Sequence, residues 1–239
     1  MQLQTHPKVW SPTAFAERFA EELVRHLEAG QSVLELGVGT GVLSILSARR
    51  GAEVSALDIN PDAIALADEN WAAQDLPIRP DRFRHSDRFS ALQDDERFDL
   101  IFSNPPVLPA IGEPDTGTRD DFEVAGDHGR LVLDAMITES GRWLAPNGRM
   151  LTIATSLQGW RESEARLNAH WHEWEVVRDV QLALTDECGP AYIAWWQAQT
   201  EADGQRRVYQ QEGNPTWWHD VWFLLAKRPK ANAPDAPCL

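Results

Sequence analysis

Val33-Leu34-Glu35-Leu36-Gly37-Val38-Gly39-Thr40-Gly41, followed by the apolar run Val42 to Leu46, decides the fold of this chain. Val33 to Leu36 read as a short buried strand, and Val42 to Arg50 as the helix after it. Glycines at every second position fill the junction. The backbone can therefore turn sharply with no side chain above it, and a flat ligand can lie on main-chain N–H groups at a helix N-terminus. The stretch predicts a nucleotide-type binding corner.

The spacing of that corner is G-x-G-x-G, with Val42 where a dinucleotide fingerprint wants its third glycine. Glu35, just ahead of Gly37, is placed to meet a ligand ammonium group. Both points favour S-adenosylmethionine over NAD. Here the chain resembles the class I methyltransferases, whose first motif is an acidic residue followed by such a glycine loop. The resemblance makes Glu35, Gly37, Gly39 and Gly41 candidate cofactor-binding residues.

Glu53 to Leu57 predict a second strand ending at Asp58, with Asn60-Pro61 opening the next helix. A βαβ unit brings the Asp58 carboxylate to the carboxyl end of the neighbouring strand, within reach of ribose hydroxyls. Ile59 beside it can pack on an adenine face. A third strand, Arg82 to His85, leads into Ser86-Asp87-Arg88. In similar methyltransferases an Asp here accepts from the adenine amino group and the next backbone N–H donates to the ring, which nominates Asp87 and Arg88.

Phe98 to Ser103 predict a fourth strand that delivers Asn104-Pro105-Pro106-Val107. Consecutive prolines supply no ladder donors, so they end the strand in a rigid turn at its carboxyl end. The Asn104 carboxamide oxygen and the Pro105 carbonyl can then accept both hydrogens of one NH2 group. The arrangement resembles the Asn-Pro-Pro-aromatic motif of methyltransferases acting on amino or amide nitrogens, the release-factor glutamine and N6-adenine types. That resemblance implies catalytic roles for Asn104, Pro105 and Pro106, with Asn104 also touching the cofactor. Val107 stands where the family has Tyr or Phe, which opens the site to a smaller or more aliphatic amine.

Ser11-Pro12 start a helix over about 12 to 29, its apolar face made by Phe15, Phe19, Leu23 and Leu27. By the same resemblance this helix covers the cofactor, and Pro12-Thr13 lies near the ligand's methionine end, so Thr13 joins the candidates. Leu108 to Phe122 read as a mobile flap; His128, at the helix start Gly126 to Gly129, reads as surface before base. Met150 to Thr155 and Val176 to Val180 predict two further strands flanking an exposed helix, Trp160 to Ala169. Periodicity then fails over about 185–215 before a last strand, Thr216 to Lys227. Of the chain's 11 tryptophans, Trp195, Trp196, Trp217, Trp218 and Trp222 lie in this region. Aromatic faces in an acidic protein can build a cation site, which makes Trp195 and Trp196 candidate substrate contacts beside Val107.

The excess of 37 acidic over 22 basic residues, a net charge of -15, repels a phosphate backbone and disfavours nucleic acid as partner. Cys188 and Cys238 make neither a disulfide framework nor a metal site. With no leader pattern and no spanning apolar run, the expectation is a cytoplasmic protein, without metal or membrane. The predicted organisation is an N-terminal helical cover (1–30), a methyltransferase domain (31–229) with an insertion at about 185–215, and a flexible tail (230–239). The expected fold is a Rossmann-like, doubly wound seven-stranded sheet, mostly parallel with an antiparallel last strand. The expected activity is S-adenosylmethionine-dependent N-methylation of a small-molecule or peptide amine or amide. Two alternatives stay open: a cyclase or lyase releasing methylthioadenosine, and a non-catalytic cofactor-binding partner subunit.

Overall fold

β1 (Ser32–Leu36) and β2 (Glu53–Asp58) pair in parallel, Val33 opposite Val54 and Leu36 opposite Leu57, as buried apolar runs on both sheet faces require. The computed structural model describes residues 3–12, 14–77, 81–111, 125–184 and 188–231. Thr13, residues 112–122 of the expected flap, Asp186, Glu187 and residues 232–239 of the expected tail lie outside them. β3 (Phe83–His85) extends the sheet beyond β2, while β4 (Phe98–Ser103) pairs with β1 on its other side. β5 (Leu144–Thr155) follows β4 in parallel, with an irregularity between Phe98 and Leu100 that absorbs the Pro146-Asn147-Gly148 turn.

The last strand is antiparallel, as expected, and the strand count differs from expectation. β8 (Trp217–Pro229) inserts antiparallel between β5 and β6 (Trp171–Ala183), giving the order β3-β2-β1-β4-β5-β8-β6. A two-residue β7 (Tyr209–Gln210) also pairs with β8, so the sheet has eight strands rather than seven. β5 releases β8 after the pair Thr155–Val221, and β7 takes up the freed ladder at Trp217 and Trp218.

Helices cover both faces. α1 (Ala14–His26) buries Phe19 and Leu23 against Phe102 and Phe223. With α2 (Val42–Arg49) and α3 (Pro61–Ala72) it closes one core layer; α4 (Leu131–Thr138) and α5 (Trp160–His170) close the other. The region where periodicity fails contains α6 (Pro190–Asp203), with Pro190 in its first turn and left-handed Gly204 as its C-cap. α6 builds a third cluster, Tyr192, Trp196 and Val208 against Leu108 and Leu157, which backs the double-proline turn.

Candidate active site

The strand order reverses direction between β1 and β4, and that reversal sets the site. β1 and β4 are parallel neighbours, Leu34 opposite Ile101 and Glu35 opposite Phe102, so the loops leaving both strands emerge side by side at the carboxyl edge. One loop carries the glycines. Gly37, Gly39 and Gly41 all have positive φ, and a Cβ at Gly41 would press on Ala67 of α3 at 3.2 Å. Gly37 N donates to Leu57 O (2.8 Å) and Gly39 N to Asp58 Oδ2 (3.0 Å), which locks the loop onto the end of β2. Asp58 Oδ1 accepts from Asn60 N (2.8 Å), and Asn60 caps α3 by accepting from Asp62 N (2.9 Å).

A cavity of about 330 Å³ opens above this loop, and its lining contains Glu35, Gly37, Gly39, Asp58, Ile59, Asp87, Arg88, Asn104 and Pro106. Gly41 is not in that lining; it serves the turn into α2 as its left-handed N-cap. A second cavity of about 440 Å³ is lined by Asn104, Pro105, Pro106, Val107, Leu108, Phe15, Leu157, Trp218 and His219, among others. Asn104, Pro106 and Trp10 line both. The glycine turn and the proline turn therefore face a common crevice.

The first cavity is acidic. Burial pushes the Glu35 carboxyl up to about 8, the Asp58 charge adds to that, and a hydrogen bond from Ser44 Oγ opposes it. Burial also raises Asp58, against the backbone N–H donors of Gly39 and Asn60. The cations at its rim are already matched: Lys8 lies 4.0 Å from Asp62, and Arg88 pairs with Glu139 (2.8 Å) and Asp87 (3.3 Å). A buried and a half-buried acid, with no buried cation in the lining, suit a ligand bearing positive charge, and they suit a pyrophosphate badly. These residues fit S-adenosylmethionine, which carries a sulfonium and an ammonium.

Sequence reasoning missed a strap. Residues 3–12 precede α1 and cross the rim, held by two buried asparagines. Asn70 accepts from Gln4 N (2.6 Å) and donates to Gln4 O (3.1 Å) and to Thr40 O of the glycine loop (3.0 Å). Asn60 Nδ2 donates to Lys8 O (2.7 Å). The strap presents Trp10, 42% exposed, to both cavities. An isolated Trp outside any periodic segment gives no signal of such a place.

The tryptophans expected as substrate contacts line neither cavity. Trp196 is 0% exposed inside the α6 cluster, leaving its ring no surface to offer. Trp195 is half-buried beside the exposed His128, ring centres 5.9 Å apart, and neither tryptophan is in either cavity lining. Trp10 and Trp218 are the tryptophans in the lining of the second cavity.

The proline turn is braced from behind. A Cβ on Gly129 would stand 2.2 Å from Val107 O, so the two backbones touch. Gln158 Nε2 donates to Gly129 O (2.6 Å), and buried Arg130 donates to Gln158 O (2.7 Å) and pairs with Asp134 (2.7 Å). Ala125 N donates to Leu108 O and Ala110 N to Gly126 O, both at 3.0 Å. Among the described residues no cluster of His, Cys, Asp and Glu suits a metal ion, and no helix is long and apolar enough to cross a membrane.

The switch point of this Rossmann-like sheet thus brings a triple-glycine turn and an Asn-Pro-Pro turn to one crevice, the pattern by which the sequence resembles the class I methyltransferases. The chain belongs to the methyltransferase small domain family, whose model matches residues 1–181. A Methanocaldococcus jannaschii protein named as an N5-glutamine methyltransferase is 34% identical to it, over 78% of this chain and 92% of that one. The Escherichia coli release factor glutamine methyltransferase is 32% identical over 75% of this chain and 66% of its own length. Among solved structures, a chain of the E. cuniculi Mtq2–Trm112 complex shares the fold, with a TM-score of 0.57 at 16% identity and coverage of 92% and 99%.

Proposed function

We propose that the chain is an S-adenosylmethionine-dependent N-methyltransferase whose acceptor is a primary carboxamide, the side chain of a glutamine in a protein or peptide. The observation that carries this reading is that Asn104 and Pro106 line both cavities, so one rigid turn stands between a donor space and an acceptor space. The two similar proteins named for glutamine methylation support the acceptor class.

When bound, S-adenosylmethionine supplies a methyl group already activated on a sulfonium. This chain's task is then alignment and charge. In this reading Glu35 and Asp58 hold the cationic donor through its ammonium and ribose, and Asp87 with the Arg88 backbone N–H holds the adenine. The Asn104 side-chain oxygen and the Pro105 carbonyl accept the two hydrogens of the acceptor nitrogen. An amide lone pair is delocalised and nucleophilically weak. Gripping both hydrogens favours the geometry in which that pair points at the methyl, an interaction worth most as the new bond forms. Val107 offers no aromatic face, and the exposed ring of Trp10 supplies one from the strap.

Asn104→Ala should lower kcat at least about a hundredfold while leaving the Kd for S-adenosylmethionine within about twofold. Turnover is followed by S-adenosylhomocysteine release with glutamine peptides. Release of methylthioadenosine in its place would overturn the reading.

A further inference from the structure

The second cavity is walled mostly by apolar side chains, yet one wall is an imidazole. His219 on β8 is 1% exposed, lines that cavity with Asn104 and Val107, and stacks on Phe15 of α1 with ring centres 5.4 Å apart. Its Nδ1 is sealed and has no hydrogen-bond partner. A Phe or Leu would fill such a place without stranding a polar atom, so the nitrogen needs an explanation.

The ring's surroundings hold it neutral. Burial pushes His219 down to about 4, with the Asp220 charge opposing. Asp220 is engaged by Arg206 (3.2 Å), Tyr209 (3.1 Å) and Gln181. Across the ladder His219 meets Leu182, and from α1 it meets Phe15; neither carries charge. A neutral imidazole has one N–H and one bare nitrogen. Nδ1 is sealed without a partner and Nε2 is not among such atoms, so the tautomer that gives its N–H somewhere to donate carries the proton on Nε2. On that tautomer the imidazole offers a neutral N–H donor to the cavity it lines.

We propose that His219 is a specificity-determining residue of the acceptor cavity, its Nε2–H donating to the carbonyl oxygen of the carboxamide whose nitrogen is held by Asn104 and Pro105. The assignment rests on reading that turn as an amide clasp. It adds the complementary half: two acceptors for the NH2 end and one donor for the C=O end. That pattern fits a carboxamide. An amine leaves the imidazole donor unmatched, and a carboxylate sets negative oxygen against the two acceptors. A site built around such a bond rejects the analogue lacking the partner far more strongly than an apolar pocket does.

The test uses two probes, N-acetyl-glutamine methylamide and its N-acetyl-ornithine counterpart, which keeps an amine but has no side-chain carbonyl. In long-range 1H–15N spectra of the wild-type protein with S-adenosylhomocysteine, the glutamine probe should move the His219 Nε2 resonance and the ornithine probe should not. His219→Phe keeps the stacked ring and deletes the donor. It should raise KM for the glutamine probe about tenfold and erase the preference over ornithine, with kcat little changed; His219→Gln, which keeps an N–H, should recover part of the loss. Equal shifts with both probes, no shift with either, or a His219→Phe enzyme with wild-type selectivity would each overturn the proposal. Should the wild type shift with glutamine alone yet transfer no methyl to it, the functional reading fails while the assignment of His219 stands.

Discussion

Lowering the pH from 7 to 6 should weaken S-adenosylmethionine binding roughly ninefold, a figure set by Glu35. Its buried carboxyl titrates at about 8, so at pH 7 about nine-tenths of the free protein carries it protonated. A neutral acid cannot pair with the ligand's ammonium. With Glu35 holding that ammonium, as proposed, binding would return it to its charged form, and about 0.9 proton should leave per ligand bound at pH 7. Affinity then scales inversely with 1 + 10^(8 − pH), which changes about ninefold over that one unit. Isothermal calorimetry at pH 7 in phosphate and in Tris measures the released proton directly, from the slope of the observed enthalpy against the buffer's ionisation enthalpy. Glu35→Gln keeps the size of the side chain and its contact with Ser44 but cannot release a proton, so its slope should be near zero. A wild-type slope near zero, or an affinity flat between pH 6 and 7, would refute the reasoning.

Gly129→Ala should cost about 2 kcal/mol and lower kcat more than cofactor affinity, because its Cβ would meet Val107 O at 2.2 Å with φ at +68°; thermal unfolding and steady-state kinetics read the two effects. Asn70→Ala strands the Gln4 and Thr40 backbone groups at a cost of about 1–3 kcal/mol, and should speed both cofactor release and amide exchange at Gln4. Because the folded-state value of His219 lies below its ordinary 6.5, its contribution is complete above pH 6.5 and is lost as the pH falls toward 4. Urea unfolding should therefore show the wild type losing about 2.4 kcal/mol relative to His219→Phe between pH 7 and 4.5.

Strands β1, β2 and β4 were legible because each is an apolar run cut off by Gly, Asp-Ile-Asn or Pro-Pro, and those breakers are also the site. Parallel pairing converts such a pattern directly into loops at one edge, so Glu35, Gly37, Gly39, Asp58, Asp87 and Asn104 could be placed together from sequence. The strap over residues 3–12 has no periodicity; it is held by asparagine side chains from α3 and its cap, a tertiary device without a local signature. α6 did leave signals, Pro190 in its first turn, Gly204 after its end and Tyr192-Trp196 at i+4, but the paired tryptophans read as a binding surface. Of β6 the sequence showed the apolar centre, Val176 to Val180; the polar His172, Glu173, Glu175 and Gln181 on either side hid how far the strand runs. His219 was hidden for a simpler reason. Nothing between Trp218 and Asp220 says that α1 will close over the ring and leave one nitrogen unmatched.

Among the described strands the one synthesised latest, β8, is interior to the sheet. Among the described residues β6 pairs with β8 and with no other strand, and Val221 and Phe223 complete the layer under α1. A nascent chain can thus assemble the glycine corner from its first half while the far wall still lacks Trp218 and His219. Synthesis itself imposes an order in which the glycine side of the crevice matures first, and a polypeptide cut short before position 217 would lack the Trp218 and His219 wall of the second cavity.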